Sequence, residues 1–236
     1  RVITALNRVA AKLGVVVTAT SFYDPNTDDF GPLSANATII RNLANYDQRR
    51  QTLLDQRKEL RSRDDEVAKQ TLKRLENLQT LGDLPFDALM VADGGKRLQA
   101  IGALLPYYDI DPKKTRMLGT GLWDRQGFTS EPALLGGWFA APPSNERQIF
   151  IKNYKEMFGS SPPRLATLSY DATALAAVFV KPDGSFDSSD ITGSQGFGGR
   201  DGIFRFTPKG YVQRGLSIYQ VLERSAKEIE TAPVSF

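Results

Sequence analysis

Two carboxylates occupy comparable places in the sequence. Asp93 follows the apolar run PFDALMVA (85–92), and Asp124 closes GTGLWD (119–124) after RML (116–118). A carboxylate just past the C-terminal end of a strand stands where open α/β sheets hold their ligands. Two of them could divide the roles of acid and base. The plainer reading makes Asp93 the cap of the next helix and leaves Asp124 in a solvated loop. The same stretches carry glycines that suggest a phosphate cradle, DGGK (93–96) and GTG (119–121). Neither has the GxxxxGK[ST] spacing. Neither is a GxGxxG followed by an acidic residue at the end of the next strand. Both therefore read as loops shaping the rim of a cleft rather than as nucleotide loops.

Composition removes most other chemistry. The 236 residues contain no histidine and no cysteine. Triads with a histidine base, thiolate nucleophiles and His- or Cys-ligated metals are excluded. No cofactor motif and no metal site is read. Net charge is +3, without a Lys/Arg block interleaved with aromatics, so nucleic acid is not an expected partner. No apolar run reaches the roughly 20 residues of a membrane span.

The elements that must carry these loops follow from periodicity. Val2, Leu6, Val9 and Leu13 sit at helical spacing, with Gly14 as the stop. VVVTATSFY (15–23) is β-branched and aromatic and predicts a strand. A helix is expected over 33–44, a strand over 85–92, a helix over 96–108, and strands over 115–121 and 133–142. Trp138 is expected to pack within the sheet, its two preceding glycines letting a neighbouring backbone come close. Alternation of helices with apolar strands predicts an α/β fold with a parallel sheet flanked by helices.

Past Pro142-Pro143, Ser144 is expected to cap a helix with Ile149, Phe150, Tyr154, Met157 and Phe158 as its apolar positions and Gly159 as its end. RLATLSYDATALAAVFV (164–180) is a helix apolar nearly all round, hence buried or packed on something beyond it. Tyr170 and Asp171 are its polar groups, either at a lobe boundary or satisfied in the core. A loop follows, with a short helix near Ser188 and a flexible GFGG (196–199). IFRF and YVQRGLSIYQVLE form a hairpin, and KEIETAPVSF reads as a loosely held tail.

Residues 47–80 stand outside the α/β rhythm. Leu53, Leu60 and Val67 recur every seven residues, and Leu75 and Leu78 continue that face. Ser62, with Asp65 three residues on, suggests a new N-cap. This charged segment reads as two helices jointed near Ser62, either a solvated insertion or a partner-binding hairpin.

In this order the segments resemble type I periplasmic binding proteins, the Leu/Ile/Val-binding class. RVITALNRVAAKLGVVVTATSFYDPNTDDF is similar to the helix and strand opening the second lobe. FDALMVADGGKRLQAIGALLPYYDI, TRMLGTGLWD and LLGGWFAAPP follow as its later units, and FIKNYKEMFGSSPPRLATLSYDATALAAV and GFGGRDGIFRFTPKGYVQRGLSIYQV as the two crossings. The charged insertion and LGTGLWD…EPALLGGWFAAPP resemble the penicillin-binding-protein activator branch more closely.

The resemblance implies two lobes joined by a hinge. Residues 1–142 would form lobe two with the insertion at 47–80. Residues 143–198 would form part of an incomplete lobe one. Residues 199–236 would return to lobe two as closing hairpin and tail. The amino-terminal part of the family's first lobe has no counterpart, so the chain is expected to be a piece of something longer. The implied function is non-enzymatic: an extracytoplasmic solute-binding protein delivering an amino acid or similar small polar ligand to the membrane subunits of an ABC transporter. The alternative is an envelope lipoprotein that activates a peptidoglycan synthase through protein contacts. Either places the protein in the periplasm or cell envelope. The implied ligand-binding residues are Asp93, Gly94, Thr120, Gly121, Leu122, Trp123 and Tyr170.

Overall fold

The computed structural model describes residues 2–24, 26–27, 29–124, 131–185 and 191–236. The expected short helix near Ser188 lies outside them. The chain divides into two compact units. The first comprises Arg1–Trp138 and Val221–Ser225, the second Phe139–Gln220 and Ala226–Phe236.

The first unit opens with α1 (Val2–Leu13), closed where the Val15 amide donates to the Ala10 carbonyl. Only Ala10 of that helix is buried. The following run, 15–23, forms no strand. Its β-branched residues favour a pleated surface, but among the described residues no strand pairs with it, and propensity alone does not make a strand. Helix α2 (Ala35–Leu43) is capped by Ser34, whose hydroxyl accepts from the Ala37 amide.

Helices α3 (Tyr46–Arg61) and α4 (Glu66–Leu75) form the expected hairpin. The cap differs from expectation. Ser62 ends α3, while the Asp65 carboxylate accepts from the Ala68 amide and starts α4. The Arg57 guanidinium donates to the carbonyls of Leu75, Glu76 and Leu78, satisfying groups that the end of α4 leaves open.

Strand β1 (Ala88–Val91) leads through α5 (Gly95–Leu104) into β2 (Arg116–Gly119). The two strands pair in parallel, Ala88 opposite Arg116 and Val91 opposite Gly119. Leu98, Ile101 and Leu104 of α5 are buried with Met117 of β2 and Trp123. Strand β3 (Trp138–Ala141) begins after a single 3-10 turn at Pro132–Leu134, so its strand is shorter than the expected 133–142. Trp138 is not enclosed. It is 38% exposed, and the Arg116 guanidinium lies 4.6 Å from its ring centroid.

The second unit holds α6 (Ser144–Phe158) and α7 (Ala166–Phe179). Ser144 is already the first helical residue and makes no cap bond. Gly159, at φ 70°, ends α6 in the left-handed conformation that glycine adopts without strain. No residue of α6 is buried, and α7 buries only Thr167 and Asp171. The expectation that α7 is enclosed is not met within this chain.

GFGG is structured. β4 (Phe197–Gly199), β5 (Gly202–Phe206) and β6 (Val212–Arg214) form an antiparallel sheet, with Phe197 opposite Phe204 and Phe204 opposite Arg214. β7 (Ser217–Val221) alternates buried and half-buried residues. β8 (Ala226–Glu230) lies beside it, so the tail read as loose is a strand in its first half. The division between units falls inside β3 and β7.

Candidate binding mouth at the ends of β1 and β2

Parallel pairing of β1 and β2 brings the loops after both strands to one edge. Asp93-Gly94 follows β1, and Thr120–Trp123 follows β2 as a single 3-10 turn. The approach is close. A Cβ on Gly94 would stand 2.6 Å from the Leu122 carbonyl oxygen and 3.1 Å from its Cβ. Thr120 shapes its own turn, its hydroxyl accepting from the Leu122 amide at 3.3 Å. Gly121 and Leu122 are exposed, Leu122 by 43%. Five of the seven expected ligand residues therefore gather at one place: Asp93, Gly94, Thr120, Gly121 and Leu122.

Asp93 is held on several sides. Its Oδ2 accepts from the Tyr23 hydroxyl, and the Arg97 guanidinium lies 3.9 Å away. Its Oδ1 accepts from the Gly94 amide at 2.7 Å. Gly94, not Asp93, is the cap residue of α5. Burial, and then the hydrogen bond to Asp93, push the Tyr23 phenol above its ordinary range. Tyr23 and Arg97 are the residues that sequence reasoning missed. Arg97 lies one helical turn beyond Asp93. Tyr23 ends a run that was read as a strand, and parallel strands finish at the same edge.

Trp123 does not face the mouth. It is fully buried, and its indole N–H donates to the Val91 carbonyl at 3.1 Å. The ring fills space left by two glycines. A Cβ on Gly119 would lie 2.2 Å from the indole Cδ2, and one on Gly137 3.1 Å from Cζ3. Its role is to fix the β2 loop from beneath. Asp124 ends that turn, its amide donating to the Gly121 carbonyl at 3.2 Å.

Tyr170 belongs to the second unit, on α7. It is 46% exposed. The Arg200 guanidinium lies 5.1 Å from its ring centroid, and the Phe150 ring meets it edge-on at 5.4 Å. Among the described residues, no three carboxylates gather as a metal site, and no helix is long and apolar enough to cross a membrane.

No family model matches the sequence, and no curated protein does. Solved structures do. A solute-binding protein of an ABC transporter from Rhodopseudomonas palustris, in complex with p-hydroxybenzoic acid, matches with a TM-score of 0.55 at 13% identity, over 99% of this chain and 56% of its own. The leucine-binding protein LivK from Thermotoga maritima matches with a TM-score of 0.45 at 19% identity, over 72% and 49%. The C-domain of LpoA from Haemophilus influenzae, a regulator of PBP1A, matches with a TM-score of 0.43 at 16% identity, over 69% and 49%. The chain thus spans about half the length of these structures. Its fold is type I periplasmic-binding-protein-like, a likeness carried by the first of the three.

Proposed function

We propose that this chain supplies one wall of the ligand cleft of a non-enzymatic, extracytoplasmic solute-binding protein serving an ABC transporter. The observation that carries the reading is the convergence of Asp93-Gly94 with Thr120–Leu122 at one strand edge, with the Leu122 carbonyl against Gly94. A few polar groups beside an exposed apolar side chain suit a small organic solute. Asp93, with Tyr23 and Arg97, offers an anion and a cation for a zwitterion or an acid. Amino acids are the first candidates, and aromatic carboxylates the second, since the R. palustris protein carries p-hydroxybenzoic acid. In this reading residues 1–142 act as lobe two, 143–198 as part of lobe one, and 199–236 as the return. Isothermal calorimetry of the protein against a panel of amino acids and hydroxybenzoates tests it. Heat with one member, abolished in Asp93→Ala, supports the reading. A folded protein silent across the panel overturns it.

A second reading rests on the α3–α4 hairpin. It is joined internally by Arg57 yet leaves Leu54 and Val67 exposed, by 44% and 69%. Such a charged projection with apolar points fits a protein partner, and the partner proposed is a peptidoglycan synthase. Replacing residues 47–80 with a short linker should preserve the fold and abolish capture of a purified synthase. Unchanged capture removes this reading.

A further inference from the structure

The second unit contains a joint built on the two-residue turn Arg200-Asp201 between β4 and β5. Its backbone and one side chain are gripped from α7. The Arg200 amide donates to Asp171 Oδ1 at 2.9 Å, and the Thr167 hydroxyl donates to Asp201 Oδ2 at 2.8 Å. Thr167 and Asp171 lie one helical turn apart and are the two residues that α7 buries. Asp201 is 2% exposed, and Arg164 stands 3.6 Å from its Oδ2. A methyl on Gly199 would reach to 2.4 Å from Asp171 Oδ2, so the grip is sealed on that side.

The side chain of Arg200 reaches the outer faces of both helices, Glu146 of α6 and Tyr170 of α7. Its Nη1 donates to Glu146 Oε2 at 2.8 Å, with the two side chains 33% and 53% exposed. Its Nη2 reaches the Tyr170 hydroxyl at 3.4 Å, and Phe150 of α6 abuts the same tyrosine. The two grips differ in kind. One is buried and made to the backbone. The other is a partly solvated ion pair, which salt weakens. Helix α6 buries no residue fully: Phe150, Ile151 and Tyr154 are half-buried, and Ile149, Met157 and Phe158 are exposed.

We propose that the Arg200–Glu146 pair is the salt-sensitive tie of α6: its loss loosens the helix, while α7 and the β4–β5 turn stay clasped. Loss of the Arg200 side chain leaves its amide, and hence the buried grip, in place. The joint thus sets a partly solvated tie to α6 beside a largely buried tie to α7.

Hydrogen exchange read by mass spectrometry on the full chain tests this, at low and at high salt. Arg200→Ala should speed exchange of the α6 amides about two- to fivefold, the range expected of an exposed pair. High salt should do the same to the unaltered protein and add little to the variant. Amides of α7 and β5 should not change. Asp171→Ala should show the reverse pattern, with the Arg200 amide and α7 exposed first. Glu146→Gln removes the pair from its solvent side and gives the same readout should Arg200→Ala fold poorly. Equal α6 exchange in the unaltered protein and in Glu146→Gln, or opening of α6 and α7 together, overturns the proposal.

Discussion

The indole of Trp123 occupies the place where Gly119 has no side chain. A Cβ there would lie 2.2 Å from Cδ2 and 2.3 Å from Cε2. Four residues apart in sequence, the pair turns the chain back on the end of β2. The tryptophan fastens the turn to β1 through the Val91 carbonyl. The exposed tip, Gly121-Leu122, is followed directly by this anchored residue.

Gly119→Ala should therefore displace the ring. Overpacking of this kind costs about 1–3 kcal/mol. In a Trp138→Phe background, emission reports Trp123 alone. That emission should be blue-shifted and poorly quenched by acrylamide in the parent, and red-shifted in the alanine variant. Identical spectra and melting curves for the two proteins would refute the packing described.

Asp93 and Tyr23 make a pH-dependent tie. The phenol is raised above its ordinary 10.0 by burial and by the carboxylate. A group whose folded value lies above its unfolded value stabilises the fold below the unfolded value. That contribution is lost as pH rises past 10, where the unfolded chain sheds its proton first. Tyr23→Phe should flatten the alkaline limb of the stability profile above about pH 10, the unfolded phenol value. An unchanged alkaline limb counts against the bond.

How much of this could be read from the sequence differs from element to element. Helix α6 and its Gly159 stop, the joint in 47–80 and the strands β1 and β2 were legible because periodicity and stop signals act locally. The run 15–23 was misread because its residues fit a strand that has no partner here. The tail was misread in the opposite sense: AKEIE lacks a local strand pattern, and β8 exists through its neighbour β7. At the mouth, residue types and strand ends located Asp93 and Leu122. Trp123 misled because its cover is absence, the missing side chains of Gly119 and Gly137. The glycines at 136–137 allow the expected close approach of a backbone: a Cβ on Gly137 would stand 2.9 Å from the Leu134 carbonyl oxygen, with this indole next at 3.1 Å.

At Gly94 the proposed binding role can be tested apart from stability. Its φ of −152° is ordinary extended backbone, so alanine brings no conformational strain. The penalty is the contact with Leu122, whose carbonyl oxygen would lie 2.6 Å and Cβ 3.1 Å away, which pushes the two loops apart. Gly94→Ala should weaken ligand binding by up to about a hundredfold, the cost of an ångström's misplacement, with a small change in melting temperature. Full affinity with the loops displaced would remove the mouth as the binding site.

The hairpin offers a test of heptad reading against packing. Leu53 and Val67 occupy equivalent positions in the seven-residue repeat, and a coiled-coil seam would treat them alike. The structure does not. Leu53 is 1% exposed and Val67 69%. Leu53 enters the space between α3 and its neighbours, whereas α4 restarts at Asp65 and turns Val67 outward. Leu53→Ala should cost about 2–4 kcal/mol, the range for a buried leucine. Val67→Ala should stay within about 0.5 kcal/mol, as surface changes do. Urea denaturation followed by circular dichroism measures both. If the two losses were equal, residues 46–75 would pack through a continuous seam, and the break at Ser62–Asp65 would be wrong. If Val67→Ala also left stability intact but weakened synthase capture, the exposed valine would belong to a partner surface.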